Sequence, residues 1–314
     1  MLTNISYSRF SLYLRCPYAH FLRYYEKISS NAPCRPLHFG SDFHKLLEVR
    51  GDKTKIKSEW KRMRDEFYEM PGKWQTELGE NYPDDLKVIF SDYMHQWKGT
   101  PLPDETERQF SYQIDPDVNF IGVIDELYKT DEGLIIGEHK TFNRPPDMNT
   151  LVMNAQKSLY CMAAKFIWGE LPKKVQWDYI KSAPAKYPVW LEKSGRFSVA
   201  TSKEITPRSF LRACKEKGIE DPEILKQAEL YAGNESNYFF RVEQDVYPEM
   251  VEDVFNGFRY TCNDIVKQGE KNKTKNLTKE CAWCEYRDIC MAELSGGDRE
   301  YVIKQNFERR DNNV

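Results

Sequence analysis

Three cysteines crowd into ten residues, Cys281-Ala-Trp-Cys284-Glu-Tyr-Arg-Asp-Ile-Cys290. No other stretch so restricts how the chain can close on itself. Three thiolates leave a tetrahedral metal or a cubane one ligand short, so a residue from elsewhere has to return to this segment. A buried free thiol explains a single cysteine well, and that is the reading for Cys34, Cys161, Cys214 and Cys262. It does not explain three at this spacing. Met1-Leu-Thr-Asn-Ile-Ser6 lacks a basic region followed by an apolar one, so no secretory signal and a cytoplasmic location are expected. In a reducing compartment clustered cysteines bind metal more often than they form disulfides.

With 314 residues, 40% of them hydrophobic and 14% aromatic, the chain can bury a sizeable core. Its length suits one large domain, or one domain with an elaborate insertion. The formal charge of −3 carries no gross basic footprint, which speaks against a passive coat on nucleic acid. No apolar run approaches the ~20 residues needed to span a bilayer, so no membrane partner is expected.

The first thirty residues read as helical, with Ser6 or Ser8 available as a cap and Phe10, Leu14, Tyr18, Phe21, Leu22 and Tyr25 at helical spacing. Pro17 interrupts that pattern directly after Cys16, which places Cys16 at a break between two helical pieces. Further amphipathic helices carry Phe43 to Leu47, Trp60 to Met70 and Leu86 to Trp97. After Pro101-Leu-Pro103 the texture turns to strands: Gln109 to Ile114, Val118 to Tyr128 and Leu134 onward, with a turn at Thr130-Asp-Glu-Gly133. A helix is expected from about Asn149 to Trp168, then strands at Val175 to Ile180 and Val189 to Leu191. Helices return at Thr206, at Pro222 to Tyr231 and at Pro248 to Lys267, with a short strand at Tyr238 to Val242, and the polar stretch from Asn306 is expected to fray. The expected class is α/β, a small mixed central sheet flanked by helices. Residues 1–100 form a helical part, 101–200 the sheet core, 201–296 a second helical part and 297–314 a tail.

The central strands carry Gly122-Val-Ile-Asp125 and Ile136-Gly-Glu138-His-Lys140. A tight turn joins them, and adjacent strands lie about 4.8 Å apart, so Asp125 and Glu138 can point into one site. Glu138 and Lys140, two residues apart, face the same side of their strand. Two carboxylates about 4 Å apart at an effective dielectric near 20 repel by roughly 4 kcal/mol, so the arrangement calls for a cation or a proton between them. Hard oxygen ligands select Mg²⁺ or Mn²⁺. A surface hairpin with one solvated salt bridge, worth about 0–1 kcal/mol, accounts for this short motif equally well when it is taken alone. Two neighbours shift the balance. His44 follows Phe39-Gly40-Ser-Asp-Phe on an expected helix, and Gln156-Lys-Ser-Leu-Tyr160 sets two polar side chains on one helical face.

In order and together, these features resemble the RecB-like branch of the PD-(D/E)XK nuclease superfamily. That branch holds the AddAB-type nuclease domains and the CRISPR-associated iron–sulfur exonucleases. The resemblance runs from about Ser6 to Cys290, with Ile124 standing where the nominal motif has proline. It implies a phosphodiesterase that cuts DNA, with Mg²⁺ or Mn²⁺ held by His44, Asp125, Glu138 and the backbone carbonyl of His139. Lys140 is then catalytic, and Gln156 and Tyr160 place the DNA backbone or the lysine. It also implies a [4Fe–4S] cluster on Cys16, Cys281, Cys284 and Cys290, with Cys34 a weaker substitute for Cys16. Four cysteines on zinc satisfy the same spacing. Such a link joins two helical ends that otherwise have little reason to stay together, and Trp283 and Tyr286 are expected to shield it.

The iron–sulfur relatives suggest exonuclease action on single-stranded DNA or free ends. No Gly-rich loop ending in Gly-Lys-Ser/Thr is present, so unwinding calls for a helicase or recombination partner. Two other classes stay open: a non-catalytic DNA-binding or assembly protein with the same fold, and a structural zinc protein. Arg241 suits either a phosphate contact or an edge-strand salt bridge, and five lysines from Lys267 to Lys279 suit a solvated loop.

Overall fold

The computed structural model describes residues 2–198 and 202–310. The expected boundary between residues 200 and 201, and residues 311–314 of the expected tail, lie outside the described residues.

Six strands form the central sheet: β1 (Thr3–Ile5), β2 (Glu105–Asp115), β3 (Val118–Thr130), β4 (Gly133–Phe142), β5 (Lys174–Lys181) and β6 (Phe239–Asp245). The order is β1-β3-β4-β5-β6, with β2 also paired to β3. β1 runs parallel to β3 and β4 parallel to β5, while β2–β3, β3–β4 and β5–β6 are antiparallel. The sheet is therefore mixed, as expected. β1 was not legible in sequence: three residues are too few to show a period.

Nine helices matter here: α1 (Tyr7–Arg15), α2 (Pro17–Tyr24), α3 (Arg35–Glu48), α4 (Lys53–Glu69), α5 (Tyr82–Gln96), α6 (Ala155–Trp168), α7 (Pro248–Gln268), α8 (Arg287–Leu294) and α9 (Arg299–Asn306). On one side of the sheet, Phe10 and Tyr13 of α1, Leu159 and Met162 of α6 and Phe255 and Phe258 of α7 pack against Phe120, Ile124, Leu127 and Ile136. On the other, Phe39 and Phe43 of α3, Met63 and Phe67 of α4 and Leu86 and Tyr93 of α5 meet Ile180 and Phe239.

The ends of these helices follow from local chemistry. The Ser6 side chain accepts the Arg9 amide at 3.2 Å and starts α1. Cys16 is extended, with φ −161° and ψ 107°, and Pro17 opens α2 at a position that needs no amide proton. The helix expected from Asn149 is instead cut in two. Met148–Leu151 makes a single turn, and Asn154 caps a fresh start by accepting the Gln156 amide at 2.9 Å. Gly169, at φ 85°, ends α6 in the left-handed conformation that glycine tolerates best. The stretch expected as one helix to Tyr231 tightens into a 3₁₀ turn after Lys226. Trp190–Leu191 pairs with Arg196–Phe197, and Phe197, Phe210 and Tyr231 close a separate small cluster over this insertion. The expected strand there does not join the main sheet.

Two expectations about the termini are corrected. Residues 307–309 do not fray: Phe307–Arg309 pairs antiparallel with Ile28–Ser30. Nor do the helical ends lack reasons to stay together. Leu12, Tyr18, Phe21, Leu22 and Ile28 share an apolar cluster with Tyr286, Ile289, Ile303 and Phe307. The Tyr286 hydroxyl donates to the Ile28 carbonyl at 3.0 Å, Tyr18 bonds Glu293, and Arg299 pairs with both Glu26 and Glu293. Among the described residues no helix is long and apolar enough to cross a membrane.

Phe258 is fully buried, with its ring edge-on to Phe10 at 5.0 Å and Phe120 at 4.8 Å. It joins α1, α7 and the sheet. Phe258→Ala is expected to destabilise the fold by about 3–5 kcal/mol. Equilibrium urea unfolding would show a lower midpoint with an unchanged slope.

Candidate active site

β3 and β4 pair with Glu126 opposite Gly137, which sets Asp125 and Glu138 side by side one step further along. Both carboxylates are buried. Asp125 Oδ2 accepts the His139 amide at 2.9 Å. One oxygen of Glu138, Oε1, accepts both Lys140 Nζ at 2.5 Å and Gln156 Nε2 at 2.6 Å, and Lys140 also donates to Gln156 Oε1 at 3.0 Å. β4 and α6 are thus tied at one atom. Tyr160 lies one turn along α6 from Gln156, and burial holds its hydroxyl protonated, well above the usual tyrosine value.

The charges respond to that crowding. Burial, and then the Glu138 charge, push the Asp125 carboxyl up to about 7. For His44 burial pulls downward, but the Glu107 hydrogen bond and the charges of Asp125 and Glu107 outweigh it and raise the imidazole to about 8. Lys140 is desolvated too, yet Glu138 holds its ammonium above the usual lysine value. An ammonium in that state donates hydrogen bonds and does not ligate a metal.

The His139 ring faces the opposite side of the sheet. Its Nε2 lies 2.7 Å from Glu126 and its Nδ1 3.6 Å from Asp178. Arg50 and Tyr128 also bind Glu126, while Tyr93 and Arg241 bind Asp178 at 2.6 and 3.1 Å. Burial pulls His139 down, but Glu126 raises it overall. Glu126, despite burial, is held far below the carboxylate range by His139 and Arg50. Arg241 is spent on Asp178 and on the Trp97 ring, 4.1 Å away, so it belongs to this layer as a salt bridge.

His44 lies on α3, its Nδ1 3.8 Å from Asp125 and 3.5 Å from Glu107. Ligand atoms of His44, Glu107 and Asp125 all fall within 4.8 Å of one another, the one such donor group found among the described residues. Glu138, expected as a ligand beside His44 and Asp125, is outside that group and engaged by Lys140 and Gln156. Glu107 was missed in sequence, because the strand was expected to begin only at Gln109 and nothing distinguishes one more glutamate ahead of it.

The backbone at Glu107 is unusual. Its φ is +49° at the third residue of β2, and the β2–β3 pairing runs through Thr106–Glu126 and Arg108–Ile124 without a pair between Glu107 and Asp125. Ile124 and Leu127 join one apolar cluster although they stand three apart, so the alternation of faces slips by one residue where Asp125 sits. A non-glycine residue in this conformation costs about 1–3 kcal/mol and persists where its surroundings over-determine it.

Far along the chain, Cys16, Cys281, Cys284 and Cys290 line one cavity of about 370 Å³. No three of their sulfurs lie within 4.8 Å of one another. The segment after α7 runs along the helix break, with the Tyr18 amide donating to the Thr274 carbonyl at 3.0 Å and Asn276 to the Arg15 carbonyl at 3.1 Å. Tyr286 lines the cavity and is buried, whereas Trp283 is 91% exposed and shields nothing. Cys34 is exposed and does not line the cavity; Cys161, Cys214 and Cys262 are buried thiols as expected.

Residues 4–291 match the PD-(D/E)XK nuclease superfamily. No curated protein matches the sequence. Among solved structures, one from Eubacterium rectale named "Putative exonuclease" aligns with a TM-score of 0.50 at 10% identity, covering 94% of each chain. That of SSO0001 aligns with a TM-score of 0.37 at 13% identity, over 93% of this chain and 87% of the other. At 10% identity the Eubacterium rectale protein shares the fold, and nothing more is carried across from it.

A divalent ion must displace a proton from Asp125 and from His44. Mn²⁺ affinity is therefore expected to rise with pH through about 7 and about 8 and then level off. Calorimetric titration across a pH series checks this. Both groups titrate higher folded than unfolded, so the metal-free fold loses stability as pH rises from 3.8 to about 7 for Asp125 and from 6.5 to about 8 for His44; thermal melts without metal should show it.

Proposed function

Because the chain belongs to the PD-(D/E)XK nuclease superfamily, we propose that it is a metal-dependent exonuclease hydrolysing DNA phosphodiesters in single strands or at DNA ends. The observation that carries the reading is the Glu138 oxygen shared by Lys140 and Gln156 next to buried Asp125. A solvated hairpin salt bridge would not enlist a helix to hold it. In this reading Mg²⁺ or Mn²⁺ is held by His44, Asp125, Glu138 and the His139 carbonyl. The buried like charges of Asp125 and Glu138 fit a divalent cation. When bound, such an ion lowers the pKa of water and offsets charge on the phosphoryl group.

The side chains then divide the work. Lys140, kept protonated, donates to the attacking water or to the oxygen gaining charge. Gln156 fixes the ammonium and the Glu138 carboxylate in one geometry, and Tyr160, held neutral, steadies Gln156. The His139 amide orients Asp125. Exonuclease action is supported by the sequence resemblance to the iron–sulfur exonucleases. With no nucleotide-binding loop, a duplex substrate calls for a separate helicase or recombination partner.

Cys16, Cys281, Cys284 and Cys290 are proposed to hold a [4Fe–4S] cluster. One cavity bounded by all four supports this, and so does their spacing. Four thiolates on a single zinc at about 2.3 Å would sit about 3.8 Å apart, whereas no three of these sulfurs lie within 4.8 Å of one another.

Lys140→Ala is expected to lower the cleavage rate by at least ~10² without weakening DNA binding. End-labelled single-stranded and duplex DNA with Mg²⁺ or Mn²⁺ tests it; equal cleavage by both proteins would remove Lys140 from the site. Anaerobically prepared protein should be brown, absorbing near roughly 400 nm, and Cys284→Ser should bleach the colour and lower the thermal midpoint. A colourless protein containing zinc would overturn the cluster assignment.

A further inference from the structure

Glu107 has no part in the motif that defines the site, yet it is where β2 bends. We infer that Glu107 is a further side-chain ligand to the divalent ion, joining His44 and Asp125 in a donor set that the backbone of β2 is bent to supply. The inference rests on the metal-dependent reading above and adds a residue to it.

Three observations meet at this position. The donor atoms of His44, Glu107 and Asp125 lie within 4.8 Å of one another, close enough for one ion to touch all three. One nitrogen and two carboxylate oxygens make a hard donor set suited to Mn²⁺ or Mg²⁺. Glu138 is outside that group, its Oε1 shared by Lys140 and Gln156, so Glu107 is the carboxylate that stands with Asp125 on the His44 side. Finally, the pairing skips from Thr106–Glu126 to Arg108–Ile124. Glu107 therefore faces Asp125 across the two strands with its backbone turned left-handed at φ +49°.

A glutamate that merely balanced His44 would need no such backbone. His44 already has Asp125 at 3.8 Å, and a surface pair could form from an ordinary strand conformation. The left-handed residue brings the carboxylate to the side of Asp125 from which α3 delivers its histidine.

Two variants test this by direct Mn²⁺ titration, followed calorimetrically and needing no DNA. Glu107→Gln keeps size and removes the anionic oxygen. Glu107→Gly removes the side chain and suits the positive φ, so it should fold at least as stably as wild type in the absence of metal. Both are expected to bind Mn²⁺ at least ~10-fold more weakly, the loss that even a partner hydrogen-bonded to a ligand can cause. Affinities within about twofold of wild type for both Glu107 variants, with His44→Ala and Asp125→Asn impaired, would overturn the ligand assignment and leave the metal site standing. A wild-type protein that takes up no Mn²⁺ would overturn both together.

Discussion

Asp125 and Glu138 lie side by side in the interior with no room to separate, since the β3–β4 ladder fixes both backbones. Like charges so placed are tolerated only where cations or protons answer them. Much of the surrounding sequence does that. Lys140 and Gln156 hold Glu138, His44 and the His139 amide hold Asp125, and a divalent ion suits the charge that is left. The arrangement is unstable in the empty state by its nature, which is how a metal site obtains selectivity for a cation over water.

Behind it stands a second, better balanced set of charges. Glu126 and Asp178 are met by Arg50, His139 and Arg241, with Tyr93 and Tyr128 completing their hydrogen bonds. The two layers share β4, whose alternating side chains put Glu138 and Lys140 on one face and His139 on the other. The back layer fixes the strand from which the front layer projects. Removing one member would leave a buried charge without its partner, a more costly loss than the pair was a gain.

The motif residues were legible because each lies on a regular element. Glu138 and Lys140 follow strand alternation, a recognisable turn leads back from them to Asp125, and Gln156 and Tyr160 follow helical spacing. The cysteine spacing was legible too, and Pro17 marked the break beside Cys16. What escaped were departures from regularity. Glu107 sits where two strands slip phase together, and no periodicity reports a slip. β1 and the Phe307–Arg309 strand are three residues each, their pairing decided by distant partners. The exposed Trp283 shows the limit of reading shielding from residue type: an aromatic beside a cysteine can point either way from a 3₁₀ turn.

The ribbon between Ile28–Ser30 and Phe307–Arg309 has a consequence for synthesis. Its two strands are separated by nearly the whole sequence, and contacts at such separation are the slowest to find one another. Helices α1 and α2 leave the ribosome well before α8 and α9, which bring the partners of Tyr18, Phe21 and Ile28. Until then an apolar helix pair and an unpaired strand edge stay open to solvent, the kind of surface that invites association with other chains. The order of translation thus leaves this helix pair and strand waiting while about 250 residues are made, and assembly of this lobe follows late in folding.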